Sequence, residues 1–290
     1  MAYRCPHYHC VAGSIEGLIQ QIALSYLRHG YWWYVTGIIP NRKAPEEVDH
    51  NILTKYGIRK DWRYVAHNKQ RGVANLQYIR HGRFYVIMAT KGLHEFKQRE
   101  AKRIRDARKC PILVPRVMAS SDSRFPRVPG TGTGRQNRVF DGYAISYRRG
   151  GYLRKSPEDK AAYLDAVQHW REQTAIGREL PKPPKGRPDP NWHSCVEIER
   201  QSYLRLRAYF LDIATHRSVE NLTYEFSHTG YVAYQPVKRQ LVRIIKDVNL
   251  ARSRAGCEDH VAYRVVLRLR RAQIHPFTTD GATSSTSGRS

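Results

Sequence analysis

Cys5, His7, His9 and Cys10 place four metal-ligating side chains within six consecutive residues. Thiolates and neutral imidazoles suit a borderline cation such as zinc, yet structural zinc ligands come as pairs separated by a loop, and this cluster is too tight for one. In an extended segment residues two apart share a face, so His7 and His9 can present two imidazoles to one divalent ion. The alternative is that all four are ordinary strand side chains. Carboxylates are sparse: Glu197 with Glu199, and Glu258 with Asp259, are local pairs, whereas a two-metal centre needs several carboxylates around its ions. Gly130, Gly132 and Gly134 form a glycine-rich loop without the Gly-Lys-Ser/Thr of a nucleotide-binding turn. Arg124, Arg127, Arg135 and Arg138 flank it and make it a candidate basic flap over a polyanion.

The His7-Tyr8-His9 triplet resembles the histidine pair of the HUH nucleases, over these three residues alone. The resemblance implies a divalent cation held by His7 and His9 as cofactor, and a helical tyrosine that attacks single-stranded DNA during replication or transposition of a mobile element. Tyr56, with Lys60 four residues on, is the candidate nucleophile. Tyr8 is an unusual middle residue for that motif, and the pair lies nearer the N-terminus than in rolling-circle initiators. Apart from this resemblance, the residues assign no catalytic group, no metal and no cofactor.

Charge points to a partner more plainly. Fifty Lys+Arg against twenty-five Asp+Glu give a formal net charge of +25, a self-repulsion that a polyanion relieves. Arginine outnumbers lysine more than twofold, and the guanidinium grips phosphate bidentately and stacks on bases. Codon bias can raise that ratio but does not explain the shortage of acids. Aromatic residues alternate with arginine at Trp62-Arg63-Tyr64, Tyr78-Ile79-Arg80, Tyr147-Arg148-Arg149 with Tyr152, and Tyr203-Leu204-Arg205. Aromatic stacking with phosphate neutralisation is how single strands and looped RNA are held. Neither an apolar run of about 20 residues nor a lipidation signature indicates a membrane partner. Five cysteines and an N-terminus without a secretory apolar run point to reduced thiols in a cytoplasmic or nucleoid setting.

The elements that must carry these residues follow from periodicity. Ser14 caps a helix to about residue 28, and residues 31–39 read as a central strand buried on both faces. Pro45, Glu46 and Glu47 open a helix to Tyr56 that ends at Gly57. Residues 73–80 and 83–90 form a hairpin around His81-Gly82, with Tyr78, Arg80 and Arg83 at an exposed tip. Residues 93–109 read as a basic helix and 111–115 as a strand; residues 116–138 form an irregular basic loop. A second hairpin joins 140–147 to 152–155, and a capped helix covers 156–174. Residues 195–216 read as a helix, and 236–256 as an amphipathic one between Pro236 and Gly256. Residues 263–270 alternate apolar with arginine, the pattern of a half-buried strand.

These readings define an α+β fold with a mixed or antiparallel sheet, hairpins and packed helices, followed by a more helical C-terminal portion. The expected division is an α+β domain over 1–176, a proline-rich linker over 177–192, the helical portion over 193–277 and a disordered tail over 278–290. The expected function is binding of RNA or single-stranded DNA in preference to duplex. The candidate contacts are Arg80, Arg83, Arg103, Arg124, Arg127, Arg135, Arg138, Arg148, Arg149, Tyr152, Arg239, Arg243, Arg264, Arg268 and Arg270. The alternatives are the HUH-type nicking enzyme and a non-catalytic basic subunit of a ribonucleoprotein.

Overall fold

A computed structural model describes residues 8–58, 62–115, 142–150, 157–183, 189–271 and 274–277. The fold is α+β: among the described residues, two antiparallel sheets combine with nine α-helices, and the C-terminal part is the more helical.

Helix α1 (Ile15–Gln20) starts where Ser14 accepts the Gly17 N–H at 3.0 Å. It runs on as a π-helical turn (Gln21–Tyr26) and a 3₁₀ turn (Leu27–His29), so the helical run reaches residue 29. Its stripe of Leu18, Ile19, Ile22 and Leu27 is fully buried. Strand β1 (Trp33–Ile38) follows, then α2 (Pro45–Lys55) and α3 (Trp62–Gln70). Proline and two glutamates in the first turn of α2 match the orphan N–H groups and the dipole there.

Strands β2 (Leu76–His81) and β3 (Phe84–Ala89) form the expected hairpin. His81 pairs with Phe84, so the two-residue loop is Gly82-Arg83, one residue later than expected. Gly82 sits at φ 56, which only glycine adopts without strain. The 93–109 helix is shorter than its charge pattern suggests. Only α4 (Glu95–Arg99) is helical; the chain then turns, and β4 (Arg105–Asp106) pairs with Trp33 and Tyr34 of β1. An available sheet edge overrides helical propensity there. The sheet order is β2-β3-β1-β4.

One sheet face carries Val35, Leu76, Tyr78 and Ile87, which pack with Tyr56 and Phe96. Tyr34, Thr36, Ile38 and Phe84 lie on the opposite face by strand alternation.

The second sheet, β5-β6-β7, comprises β5 (Ile112–Pro115), β6 (Gly142–Arg149) and β7 (Trp192–Ile198). The expected basic loop, the arm 152–155 and the tail 278–290 lie outside the described residues. Residues 192–198 are a strand where a helix was expected from 195: Val196 and Ile198 are buried while Glu197 between them is not. The helix that follows, α6 (Arg200–Asp212), begins when Glu199 accepts the Ser202 N–H. Helix α7 (Val219–Ser227) has no counterpart in the sequence reading.

Helix α8 (Gln235–Arg254) matches expectation closely, ending before Gly256 at φ 80. The arginine-faced strand over 263–270 is not formed: α9 (Arg264–Leu267) is a short helix that inserts Val266 into the core and contacts α7 and α8. Alternation alone makes no strand where no edge is at hand to pair.

Compactness divides the chain into residues 1–146 with 194–290 as one unit, and 147–193 as another. The larger unit joins segments far apart in sequence. Within it, the Val232 N–H donates to the Tyr143 hydroxyl at 2.8 Å, and Gly13 donates to the Pro276 carbonyl at 3.1 Å. The smaller unit contains α5 (Pro157–Ala175), none of whose residues is buried.

Candidate nucleic-acid interface

Helix α8 separates its residues by character. Val237, Leu241, Ile244, Ile245 and Val248 point inward. Arg239, Arg243 and Lys246, at spacings of four and three, are exposed on one face. Among the described residues no carboxylate pairs with any of these three. Asp247, the acid on this helix, is engaged by Arg207 of α6, whose Nε donates at 2.7 Å. Lys238 turns the other way and donates at 3.0 Å to the Leu267 carbonyl at the end of α9, where a cation suits the helix dipole. Arg264, Arg268 and Arg270 are exposed on and beyond α9.

Arg252 of the same helix is buried. Its Nη1 donates to the carbonyls of Ala214 at 2.7 Å and Arg217 at 2.9 Å, and its Nε to that of Asp259 at 2.9 Å. It ties three segments together from inside the fold.

The hairpin arginines are placed differently from expectation. Arg80 and Tyr78 are in the core, not at an exposed tip. Asp49 of α2 accepts from the Tyr78 hydroxyl and from Arg80 Nε and Nη2, at 2.9 and 2.8 Å for the arginine. The reason is strand parity: Tyr78 and Arg80 point to the face that α2 covers. Arg83 donates to the carbonyls of Pro40 at 2.7 Å and Lys43 at 3.2 Å and so braces the loop ahead of α2. Arg103 is exposed, paired with Glu100 at 3.2 Å and reaching the Thr36 carbonyl at 3.4 Å. Arg124, Arg127, Arg135, Arg138 and Tyr152 lie outside the described residues.

Arg148 and Arg149 are exposed, and within the smaller unit Arg149 lies 5.8 Å from the Trp192 ring centroid. Trp192 stacks on Tyr147 at 5.6 Å and 20°. Two exposed aromatic features escaped the sequence reading: Tyr224, stacked on His228 at 4.0 Å, and Tyr263, just before α9. The i,i+4 spacing of Tyr224 and His228 was the available signal.

The HUH candidates are placed as follows. His7 lies outside the described residues, and His9 is exposed, its ring 6.4 Å from that of Phe277. Tyr56 is buried at the end of α2, edge-on to Phe96 at 5.3 Å. Its hydroxyl donates to Glu100 at 2.9 Å. Burial, reinforced by that carboxylate, pushes the hydroxyl up to about 12, the wrong direction for an activated nucleophile. Tyr8 is half-buried, donating to Gln77 at 2.8 Å. Among the described residues, no three His, Cys, Asp or Glu side chains form a metal-holding group. No described helix is long and apolar enough to cross a membrane.

No protein-family model matches this chain, and neither does any curated protein or solved structure.

Proposed function

We propose that the protein binds nucleic acid, RNA or single-stranded DNA in preference to duplex. The observation that carries this reading is the row Arg239, Arg243 and Lys246 on α8, exposed and without carboxylate partners among the described residues, on a chain of net charge +25. Helix α9 packs against both α7 and α8, and exposed Arg264 on it and Arg268 just past its end extend the cationic surface. Exposed Tyr263 and the Tyr224–His228 stack belong to the same helical group and offer ring faces to unpaired bases. Arg148 and Arg149 are further contacts in this reading, and a cytoplasmic or nucleoid address, with possible assembly into a ribonucleoprotein, goes with it.

The test is affinity for matched single-stranded RNA, single-stranded DNA and duplex across a salt series, using nuclease-treated protein. Each neutralised phosphate contributes about 0.7 to the slope of log affinity against log salt on single strands. The triple variant R239Q/R243Q/K246Q should therefore flatten that slope by about 2. A salt response that is flat in the wild type overturns the reading. Running the products on a denaturing gel with Mg²⁺ or Mn²⁺ present separates binding from chemistry, because a covalent protein–DNA end would replace binding with strand transfer.

A further inference from the structure

Strand β4 covers β1 only at Trp33 and Tyr34. Beyond that point, among the described residues, the β1 edge is open. The Ala107 N–H donates to the Trp32 carbonyl at 2.8 Å, whereas Ile39 donates instead to Arg83 of the hairpin loop. Main-chain groups of even-numbered β1 residues therefore face the β4 side, and odd-numbered ones face β3. Thr36 and Ile38 thus turn N–H and C=O groups toward the open edge, where Arg103 takes the Thr36 carbonyl at 3.4 Å. In the described residues nothing pairs the Thr36 N–H or the Ile38 main chain on that side.

A pocket of about 480 Å³ lies against this edge, within the range of small-ligand sites. Tyr34 and Phe84 form its buried floor, and Ile38 and Leu113, 42% and 36% exposed, form its apolar lips. Arg105 is the cation in its lining; it is exposed and has no carboxylate partner among the described residues. The Tyr34 hydroxyl is spent on the Pro111 carbonyl at 2.8 Å. Burial pushes that hydroxyl up to about 12 against the opposing charge of Arg105, so the floor stays neutral and anchored.

Two apolar lips, the outward main-chain groups of Thr36 and Ile38 beside them, and one exposed guanidinium at the rim match the parts of a nucleotide. We infer that this pocket takes a single unpaired nucleotide, its base between Ile38 and Leu113, its edge against the main chain of Thr36 and Ile38, and its phosphate on Arg105. Flipped or unpaired bases are held between apolar side chains and read on their edges in this manner. Charge complementarity selects a phosphorylated ligand over a neutral one. The inference rests on the nucleic-acid reading and adds where one base of the strand is seated.

The experiment titrates the full chain, freed of nucleic acid and labelled at isoleucine and leucine methyls, with adenosine 5′-monophosphate, adenosine and inorganic phosphate. The monophosphate should shift the Ile38 and Leu113 methyls and bind more tightly than either fragment. R105Q should weaken it about tenfold or more, the loss of a charge-assisted hydrogen bond. L113W and, independently, I38W should block it by filling the space; both sites are partly exposed, and thermal melts verify that each variant is folded. R239Q/R243Q/K246Q should leave monophosphate binding intact while weakening oligonucleotides. Shifts elsewhere, or monophosphate binding indifferent to both R105Q and the tryptophan variants, would overturn the pocket assignment. Salt-dependent oligonucleotide binding would then still stand on its own, whereas monophosphate binding without any oligonucleotide binding would sink the broader reading and leave a mononucleotide site.

Discussion

Arg80 on β2 and Asp49 on α2 meet in the core, both almost wholly buried, with Nε and Nη2 donating to the carboxylate at 2.9 and 2.8 Å. Tyr78 donates to the same carboxylate, and Arg80 Nη1 to the Gly82 carbonyl at 2.7 Å. One buried acid thus holds a helix, a strand and the hairpin turn in register. Removing either member leaves an uncompensated buried charge, which costs about 3–5 kcal/mol. Asp49→Asn and Arg80→Met should each lower the unfolding free energy by roughly that amount in urea titrations. The double variant should recover part of the loss. Strict additivity of the two single losses would show that the pair is not coupled.

This ion pair also shows what the sequence could not display. Tyr78-Ile79-Arg80 is an aromatic and basic run next to a turn, and locally it looks like an exposed tip. Its partner lies 31 positions away, on a helix whose packing direction no local window contains. Residues 105–106 and 192–198 became strands for the same reason: they found edges, Trp33–Tyr34 in the first case and β6 in the second. The alternation at 263–270 found none and coiled onto α7 and α8. Elements with their own punctuation were legible. Pro45 with two glutamates, Ser14, and the stretch from Pro236 to Gly256 carry their boundaries in adjacent residues, and the helices start and stop close to them. The basic face of α8 could be read from periodicity alone. The pocket beside β1 could not, because it depends on β4 being two residues long.

Tyr56→Phe separates a packing role from a catalytic one. The ring remains against Phe96 and only the bond to Glu100 is lost, a cost of about 1 kcal/mol. Nucleic-acid affinity, and any strand scission seen with divalent cations, should be unchanged. Loss of a scission activity in this variant, with the fold intact, would restore Tyr56 as a nucleophile.

Alkaline stability follows from the same kind of burial. Tyr26, Tyr34, Tyr56, Tyr209 and Tyr234 are all pushed up to about 12, from an ordinary value of about 10. Folded-state values above unfolded ones mean that the folded chain holds its phenolic protons more tightly. That stabilisation is complete below about pH 10 and is lost as pH rises toward 12. Phenolate absorbance should therefore show exposed tyrosines titrating first, then a steep step near pH 12 coinciding with loss of tertiary circular dichroism. A single smooth titration centred near pH 10, with the fold retained, would contradict the burial of Tyr26, Tyr34, Tyr56 and Tyr234.

Arg243 and Arg252 share one helix and should fail in opposite ways. Arg243 is exposed and holds no partner among the described residues, so Arg243→Gln should leave stability within about 0.5 kcal/mol of the wild type. Its effect should appear in binding, as a salt slope smaller by about 0.7 on single strands. Arg252 satisfies three carbonyls from 214, 217 and 259. Arg252→Gln cannot reach all three, and buried acceptors left unpaired cost about 1–3 kcal/mol each. That variant should melt earlier, yet at temperatures where it is folded it should bind with the wild-type salt slope. Urea midpoints and salt-dependent affinities measured on both proteins decide the matter. If Arg252→Gln alters the slope while Arg243→Gln does not, the nucleic acid lies along a different face of α8 from the one carrying Arg239, Arg243 and Lys246.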